Sequence, residues 1–320
     1  MPEKPSAVFL DTSTVGPGVD MSAIEELLDI EYYEWTDKQD VAQRIANSEI
    51  VIVNKTRIDR AAIEAAKRVK LIVLTATGTD NVDSRAAQAA SVGVANTRDY
   101  CNTSVVQHVF GLILGLTQHT HRYDALVSSG AWQRSNTFAL FDYPIRELAG
   151  CNLGVVGYGS LGQSVAELGR CLGMNLLISA RPGATDIPQG RLPFDQVLRQ
   201  ADVLTLHCPL TEHTHHLLGA KAFLVMKRDA ILINTARGGL VDGAALVKAL
   251  EAGEIAGAGI DVLPTEPPNA DDPILGTNLP NLIVTPHIAW AAREARQRAV
   301  DQVAENIADF YAGGRLRRIV

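Results

Sequence analysis

Residues 154–162 read GVVGYGSLG, with Gly157, Gly159 and Gly162 at GxGxxG spacing. An apolar run, Leu153–Val156, leads into the glycines. A helical pattern over roughly Leu161–Leu172 follows and stops near Gly173, a suitable residue just past a helix end. A second apolar run, Leu176–Ser179, comes next. In this strand–turn–helix–strand context the glycines let the backbone turn sharply and approach a pyrophosphate. The helix N-terminus adds unpaired N–H donors and partial positive charge. A glycine turn kept for packing alone explains less of this context than a dinucleotide site at Gly157, Gly159, Ser160, Leu161 and Gly162. About 150 residues precede the loop, so another structure is built first.

Working outward, short β-rich runs alternate with helical patterns along the whole chain. Before the loop the strand candidates are Ala7–Asp11, Glu31–Trp35, Ile50–Asn54, Leu71–Ala76 and Val92–Ala95. Helix candidates between them include Met21–Leu28, Asp40–Ala46 and Arg60–Lys67. After Leu176–Ser179 come Val203–His207, Ala230–Asn234, Gly257–Val262 and Leu282–Thr285. The strands are almost wholly apolar, as in parallel sheets covered on both faces. Two doubly wound α/β units follow. Between the two strand series stand a long helical pattern, Ser104–His121, and a polar, aromatic loop, Gly130–Tyr143. A final helix, Ala291–Tyr311, is expected to hold Arg293, Glu294, Arg296, Gln297 and Arg298 on its wet side.

The bulk numbers agree. At 320 residues the chain suits two domains of about 150 residues each. Hydrophobic content of 47% and charged content of 20% are ordinary for a soluble globular protein. A net charge of −7 argues against nucleic acid or an anionic membrane as the main partner. Cys101, Cys151, Cys171 and Cys208 form no CxxC pair and read as buried free thiols of a reducing compartment. No signal-peptide pattern opens the chain, and the apolar stretch Val109–Leu116 is far short of the ~20 residues a membrane span needs. A cytoplasmic location is expected.

The second strand of a dinucleotide unit normally ends in Asp or Glu, which accepts from the adenosine ribose. Here it ends Ser179-Ala180-Arg181-Pro182-Gly183. A carboxylate repels a 2′-phosphate, whereas a guanidinium pairs with it. Ala180 and Arg181 therefore predict a preference for NADP(H), with NAD(H) as the permissive alternative.

Three later segments carry the chemistry: INTARGGLVD (233–242), GIDVLPTEPP (259–268) and VTPHIAW (284–290). Each follows a strand of the nucleotide unit, at the sheet edge where open α/β folds place ligands. Reduction of a 2-oxo acid needs a cation for the carboxylate and polarised carbonyl, and Arg237 supplies a planar fork. It needs a proton donor as hydride arrives, and His287 titrates near the working pH. Glu266, beside the imidazole, would favour its protonated form and fix the ring.

Taken together, ATGTDNVD (76–83), GYGSLG (157–162), LHCPLT (206–211), NTARGGLVD (234–242), GIDVL (259–263) and TPHIAW (285–290) resemble the D-isomer-specific 2-hydroxyacid dehydrogenases over essentially the whole chain. DYPIRELAG (142–150) and Trp290 resemble the glycerate dehydrogenase/hydroxypyruvate reductase branch. The resemblance implies a flavodoxin-like substrate domain and a Rossmann nucleotide domain with a cleft between them. The first would comprise residues 1–98 plus 289–320 and the second residues 99–288. It further implies that Arg237 binds the substrate carboxylate and carbonyl, and that His287 is the acid/base paired with Glu266. Backbone amides around Thr77 and Gly78 would hold the carboxylate. Asp261 would meet the nicotinamide carboxamide, and Pro209 and Thr235 would lie along the cofactor. The last helix would return to the first domain. A homodimer would form through the nucleotide domain, using Ser104–His121 and Gly130–Tyr143.

Lys55, after a first-domain strand, either contacts a substrate hydroxyl or phosphate or is a solvated loop lysine. His213, His215 and His216 read as a loop near the cofactor, and no metal site is expected. His119 and His121 read as caps of an apolar helix. Trp132 is an interface anchor or reaches toward a partner's cleft. The expected reaction is hydride transfer between NADPH and a small 2-oxo acid, with hydroxypyruvate and glyoxylate leading. The rivals are a 2-ketogluconate or phosphoglycerate enzyme and a non-catalytic, nucleotide-sensing protein on the same fold.

Overall fold

The computed structural model describes residues 4–320 and divides the chain into two compact units. One runs up to Cys101 and resumes at Ala291–Val320; the other spans Asn102–Trp290.

The first unit holds five parallel strands: β1 (Ser6–Phe9), β2 (Asp29–Tyr32), β3 (Ile50–Val53), β4 (Leu71–Leu74) and β5 (Gly93–Ala95). Their order is β2-β1-β3-β4-β5, the flavodoxin-like arrangement. Strands β3 (IVIV) and β4 (LIVL) are buried at every position, as β-branched runs are when helices cover both faces. Alternate side chains serve opposite faces. Val8, Val51 and Ile72 pack with Val41, Ile45 and Ile63 from α2 (Val41–Ile45) and α3 (Arg60–Ala65). Phe9, Ile52 and Val73 pack with Ile24 of α1 (Ser22–Glu25) and with Val300, Val303 and Ile307 of α11 (Arg293–Tyr311). Asp59 caps α3 and Asp83 caps α4 (Ser84–Ala89), accepting from Ala62 N–H at 3.1 Å and Ala86 N–H at 2.8 Å. Each cap contributes about 1 kcal/mol.

Strand β2 sits two residues before its expected position. Its partner β1 pairs from Ser6 opposite Asp29 to Phe9 opposite Tyr32, and Trp35 lies beyond the ladder, 52% exposed. The expected wet face of α11 also needs correction. Arg296 is half-buried and donates to the carbonyls of Val15 and Pro17, each at 2.8 Å, while Gln297 donates to the Asp20 carbonyl.

The second unit has six parallel strands in the order β11-β10-β9-β8-β6-β7. They are β6 (Asn152–Val156), β7 (Asn175–Ile178), β8 (Val203–Leu206), β9 (Ile231–Asn234), β10 (Gly257–Ile260) and β11 (Leu282–Val284). Leu192 forms one parallel bridge to Ser179 beyond β7. Counting it as a vestigial third strand gives the Rossmann order, with the direction of winding reversing between β6 and β8. Leu204, Leu206, Leu232 and Ile260 pack with Phe223 of α9 (Ala220–Val225) and Leu246 of α10 (Gly243–Glu251). Val197 and Leu198 of α8 (Phe194–Gln200) join this core, and α7 (Ser160–Cys171) follows the glycine loop. A side chain at Gly259 would meet Leu112 Cβ at 3.0 Å, so α5 (Asn102–Gln118) lies close over β10.

The single helical pattern expected over Ser104–His121 is two helices, α5 and α6 (Thr120–Ser128). His119 separates them with φ at +52° and packs on Tyr143. His119 follows the last residue of α5 and closes that helix, its N–H donating to the Gly115 carbonyl at 3.1 Å, whereas His121 lies inside α6 and caps nothing. Burial, aided by Arg122, pushes the His119 pKa below its ordinary value. The cysteines are all free, but only Cys151 is buried; Cys171 is exposed. No helix among the described residues is long and apolar enough to cross a membrane.

Candidate active site

At the switch between β6 and β8 the glycine loop is shaped by its neighbours. Gly157 has φ at +94°, and a Cβ there would stand 2.5 Å from the His207 carbonyl carbon and oxygen. Only glycine fits. A Cβ on Gly162 would meet the Gly157 carbonyl oxygen at 2.1 Å. Gly159 differs: a Cβ there would meet nothing within 4 Å, so the protein's own packing does not require glycine. Gly159 is the N-cap of α7 and gives it no side-chain cap. The first N–H groups of α7 therefore face a place left clear for a close ligand. Ser160 and Leu161 open the helix, and Ser160 Oγ accepts from Asn102 Nδ2 at 2.7 Å.

Beside this loop, His207 and Thr235 follow the ends of neighbouring strands β8 and β9. His207 Nδ1 and Thr235 Oγ1 are buried without a protein partner. The other His207 nitrogen meets Thr205 Oγ1 at 2.9 Å. Burial pushes the His207 pKa down to about 4, so the ring is neutral at pH 7. A clear helix N-terminus, a glycine not required by packing and orphaned polar atoms at the switch point fit a dinucleotide. Pro209 follows as an exposed residue whose carbonyl accepts from Thr214 Oγ1 at 2.8 Å. Beyond β7, Ala180 is buried and its N–H donates to the Leu192 carbonyl at 2.8 Å, while Arg181 is exposed.

Strands β9, β10 and β11 are adjacent, with Ile260 opposite both Asn234 and Val284. Their carboxyl ends present Arg237, Glu266 and His287 in turn. Asn234 shapes the first loop: its Oδ1 accepts from Ala236 N–H at 3.1 Å and its Nδ2 donates to the Arg237 carbonyl at 2.9 Å. This leaves the Arg237 side chain exposed. The next residue, Gly238, presses on the neighbouring loop, where a Cβ would stand 2.0 Å from the Leu263 carbonyl carbon. The Leu263 N–H in turn donates to Glu266 Oε1 at 2.9 Å. Glu266 Oε2 lies 2.5 Å from His287 Nδ1. Backbone contact thus links the arginine loop to the loop that holds the carboxylate, and the carboxylate holds the imidazole.

His287 has φ at +54°, a left-handed conformation that costs a non-glycine residue on the order of 1 kcal/mol or more. Its surroundings enforce it. The His287 N–H donates to the Asp261 carbonyl at 2.8 Å, and Trp290 Nε1 donates to the His287 carbonyl at 2.9 Å. Asp261 is 1% exposed. Its Oδ1 accepts from Thr285 Oγ1 at 2.6 Å and from Ile288 N–H at 2.9 Å, and its Oδ2 accepts from Ala289 N–H at 2.9 Å. The carboxylate acts on the protein itself, fastening the turn that carries His287. His108 of α5 reaches the same network, with Nε2 3.0 Å from Thr285 Oγ1. Thr285 lies in the TPHIAW segment, but His108 stands in no recognisable catalytic motif, because its role arises from α5 crossing the strand ends.

Lys55, Thr77 and Gly78 belong to the first unit, after β3 and β4. There a second residue missed by sequence reading does similar work. Asp11, fully buried, accepts from Asn54 N–H at 2.9 Å, Lys55 N–H at 2.6 Å and Thr56 N–H at 2.7 Å. The Thr77 carbonyl accepts from Asn96 Nδ2 at 2.7 Å. His215 and His216 stack on each other, and the described residues contain no group of three or more His, Cys, Asp or Glu able to hold a metal.

Comparison with known proteins supplies the family. Residues 110–289 match the family described as D-isomer specific 2-hydroxyacid dehydrogenase, NAD binding domain. A glycerate dehydrogenase of Methylorubrum extorquens is 43% identical over 312 residues, covering 96% of each chain. A hydroxypyruvate reductase of Blautia hydrogenotrophica is 34% identical, covering 96% of this chain and 97% of its own. Among solved structures, an acyclic imino acid reductase in complex with NADPH and D-Arg superposes with a TM-score of 0.86 at 26% identity, covering 98% of this chain and 100% of that one. The glycine loop, the strand-end arginine and the carboxylate–imidazole pair thus stand in a chain that belongs to the D-isomer specific 2-hydroxyacid dehydrogenases.

Proposed function

We propose that the protein reduces small 2-oxo acids to D-2-hydroxy acids with NADPH, with hydroxypyruvate and glyoxylate as its substrates. The observation that carries the reading is the His287–Glu266 pair at 2.5 Å, one strand beyond an exposed Arg237. The names of the glycerate dehydrogenase and hydroxypyruvate reductase relatives support this substrate class.

When bound, the nicotinamide cofactor supplies the hydride that reaches C2. Arg237 binds the carboxylate and carbonyl of the 2-oxo acid and stabilises negative charge developing on that oxygen. His287, with Nδ1 held by Glu266, delivers a proton from Nε2 to the same oxygen. Glu266 keeps the ring aimed through its contact with Nδ1. In the reverse direction His287 takes the hydroxyl proton as a base. Asp261 fixes the turn beneath it. One proton and one hydride convert the C=O to CH–OH.

The preference for NADPH rests on Arg181 and the missing strand-end carboxylate. The protein further forms a homodimer through the nucleotide unit. Phe138 and Phe141, 88% and 81% exposed on one loop, are apolar surface that a second copy would cover. The free cysteines suit a reducing, cytoplasmic setting. The test of the reading is an absorbance assay of NADPH and NADH oxidation against a panel of 2-oxo acids, including 2-ketogluconate and phosphohydroxypyruvate. Fastest turnover on hydroxypyruvate or glyoxylate with NADPH is expected; turnover on none would overturn it.

A further inference from the structure

Thr285 stands between two partners, and its single hydroxyl proton fixes the direction of both bonds. Its Oγ1 donates to Asp261 Oδ1 at 2.6 Å. The same oxygen lies 3.0 Å from His108 Nε2. Having given its proton to the carboxylate, the hydroxyl is an acceptor toward the ring, so His108 carries a proton on Nε2 and donates it. Nε2 is also 3.5 Å from Asp261 Oδ1. A directed chain therefore runs from α5 to the buried carboxylate: His108 Nε2–H to Thr285 Oγ1–H to Asp261.

The chain ends on the acid/base turn. Asp261 holds the N–H groups of Ile288 and Ala289 with its carboxylate and that of His287 with its carbonyl. The backbone it restrains is the left-handed one at His287. A turn held against its own preference relaxes when its restraints are loosened, and a shift of about 1 Å in a reacting group costs on the order of 100-fold in rate. Asp261, fully enclosed at its side chain, is also a group whose donors cannot be replaced by bulk water.

We propose that His108 is a positioning residue for the reaction: through Thr285 and Asp261 it keeps the imidazole of His287 aimed. The proposal rests on the reading of His287 as the acid/base. It separates His108 from a residue that only fills space on α5, because what matters is one N–H at one place. Leucine keeps the bulk and removes the donor. Glutamine keeps a donor, its amide nitrogen reaching where Nε2 stands.

The experiment compares wild type, His108→Leu, His108→Gln and His287→Ala. It reads thermal melting, NADPH affinity by fluorescence, and kcat and KM for the best 2-oxo acid. Nitrogen-15 spectra of the histidine rings in the free protein at pH 8 complete it. His108→Leu is expected to lose about 10-fold in kcat, with KM and NADPH affinity within about twofold. His108→Gln should recover most of the loss, and the spectra should place the His108 proton on Nε2. Unchanged kcat in His108→Leu, no recovery in His108→Gln, or a proton on Nδ1 overturns the proposal while leaving the acid/base reading intact. A wild type that reduces no 2-oxo acid, or an undiminished His287→Ala, overturns both. Should the leucine variant fail to fold, the glutamine variant and the ring spectra decide.

Discussion

Glu266 Oε2 lies 2.5 Å from His287 Nδ1, while Glu266 Oε1 accepts the Leu263 N–H at 2.9 Å. The carboxylate is therefore oriented from both sides, and the imidazole is left to work through Nε2. Replacing His287 with Ala should abolish turnover yet leave NADPH binding intact, since the glycine loop is untouched. Glu266→Gln should lower kcat by about 10² to 10⁴, the usual size of an acid–base contribution. Stopped-flow turnover alongside fluorescence titration of NADPH checks both. A His287→Ala variant with normal kcat would remove this residue from the mechanism.

Arg181 sets a second expectation. It is exposed at the end of a strand with no carboxylate over residues 179–182. A hydrogen bond to a charged group contributes about 1.5–3 kcal/mol, or about 10- to 100-fold. Arg181→Ser should lower kcat/KM for NADPH by that factor and leave NADH nearly unchanged. Equal losses with both cofactors would show that the residue does not read the 2′-phosphate.

Asp11 offers a stability measurement separate from activity. Three backbone N–H groups converge on its carboxylate in a fully buried place. Asp11→Ala strands these donors, and unsatisfied buried groups cost about 1–3 kcal/mol each. Urea unfolding should show a loss on the order of 3 kcal/mol, smaller than the simple sum because the loop relaxes. A loss below about 1 kcal/mol would mean that water reaches these amides.

His207 makes stability depend on pH. Burial holds its pKa near 4 in the folded protein, below the ordinary histidine value of about 6.5. Between these values the unfolded chain binds the extra proton. Stability contributed by this residue is therefore complete above about pH 6.5 and falls as pH drops toward 4. The total is on the order of 3 kcal/mol. His207→Gln should flatten the stability curve between pH 4 and 6.5, as measured by denaturant midpoints. A curve parallel to wild type would place the acid sensitivity elsewhere.

Truncating Phe138 and Phe141 to Ser should convert a dimer to monomer in light scattering after gel filtration, with little change in the monomer's melting temperature. Both rings are already in solvent in the single chain. A wild type that runs as a monomer at micromolar concentration would refute the proposed interface.

Much of this was legible in sequence because it depends on local chemistry. The glycine loop announces itself through spacing and flanking periodicity, and the uniformly apolar strands imply covered parallel sheets. Arg237, Glu266 and His287 follow strands closely enough for their loops to be assigned to one sheet edge. Legibility failed where a distant segment decides. Strand β2 begins at Asp29 because β1 begins at Ser6, which no pattern in residues 29–35 records. Arg296 looks solvated on a helical projection, but two loop carbonyls meet it. Asp11 and His108 looked like an ordinary strand end and a helix interior. Their partners lie 43 to 45 residues away for Asp11 and 177 for His108.

The single bridge between Ser179 and Leu192 bears on how this enzyme can be altered. The stretch between these two residues carries Arg181 yet is tied into the sheet only at its margin. Alanine 180 is the one fully enclosed residue at its start, and the rest is exposed or half-exposed. A segment held this way is the place where a stretch of different length or charge should be accepted with its ends anchored. On the proposed role of Arg181, cofactor choice becomes a portable trait, separable from the strand ends whose loops around Gly238 and Leu263 interlock.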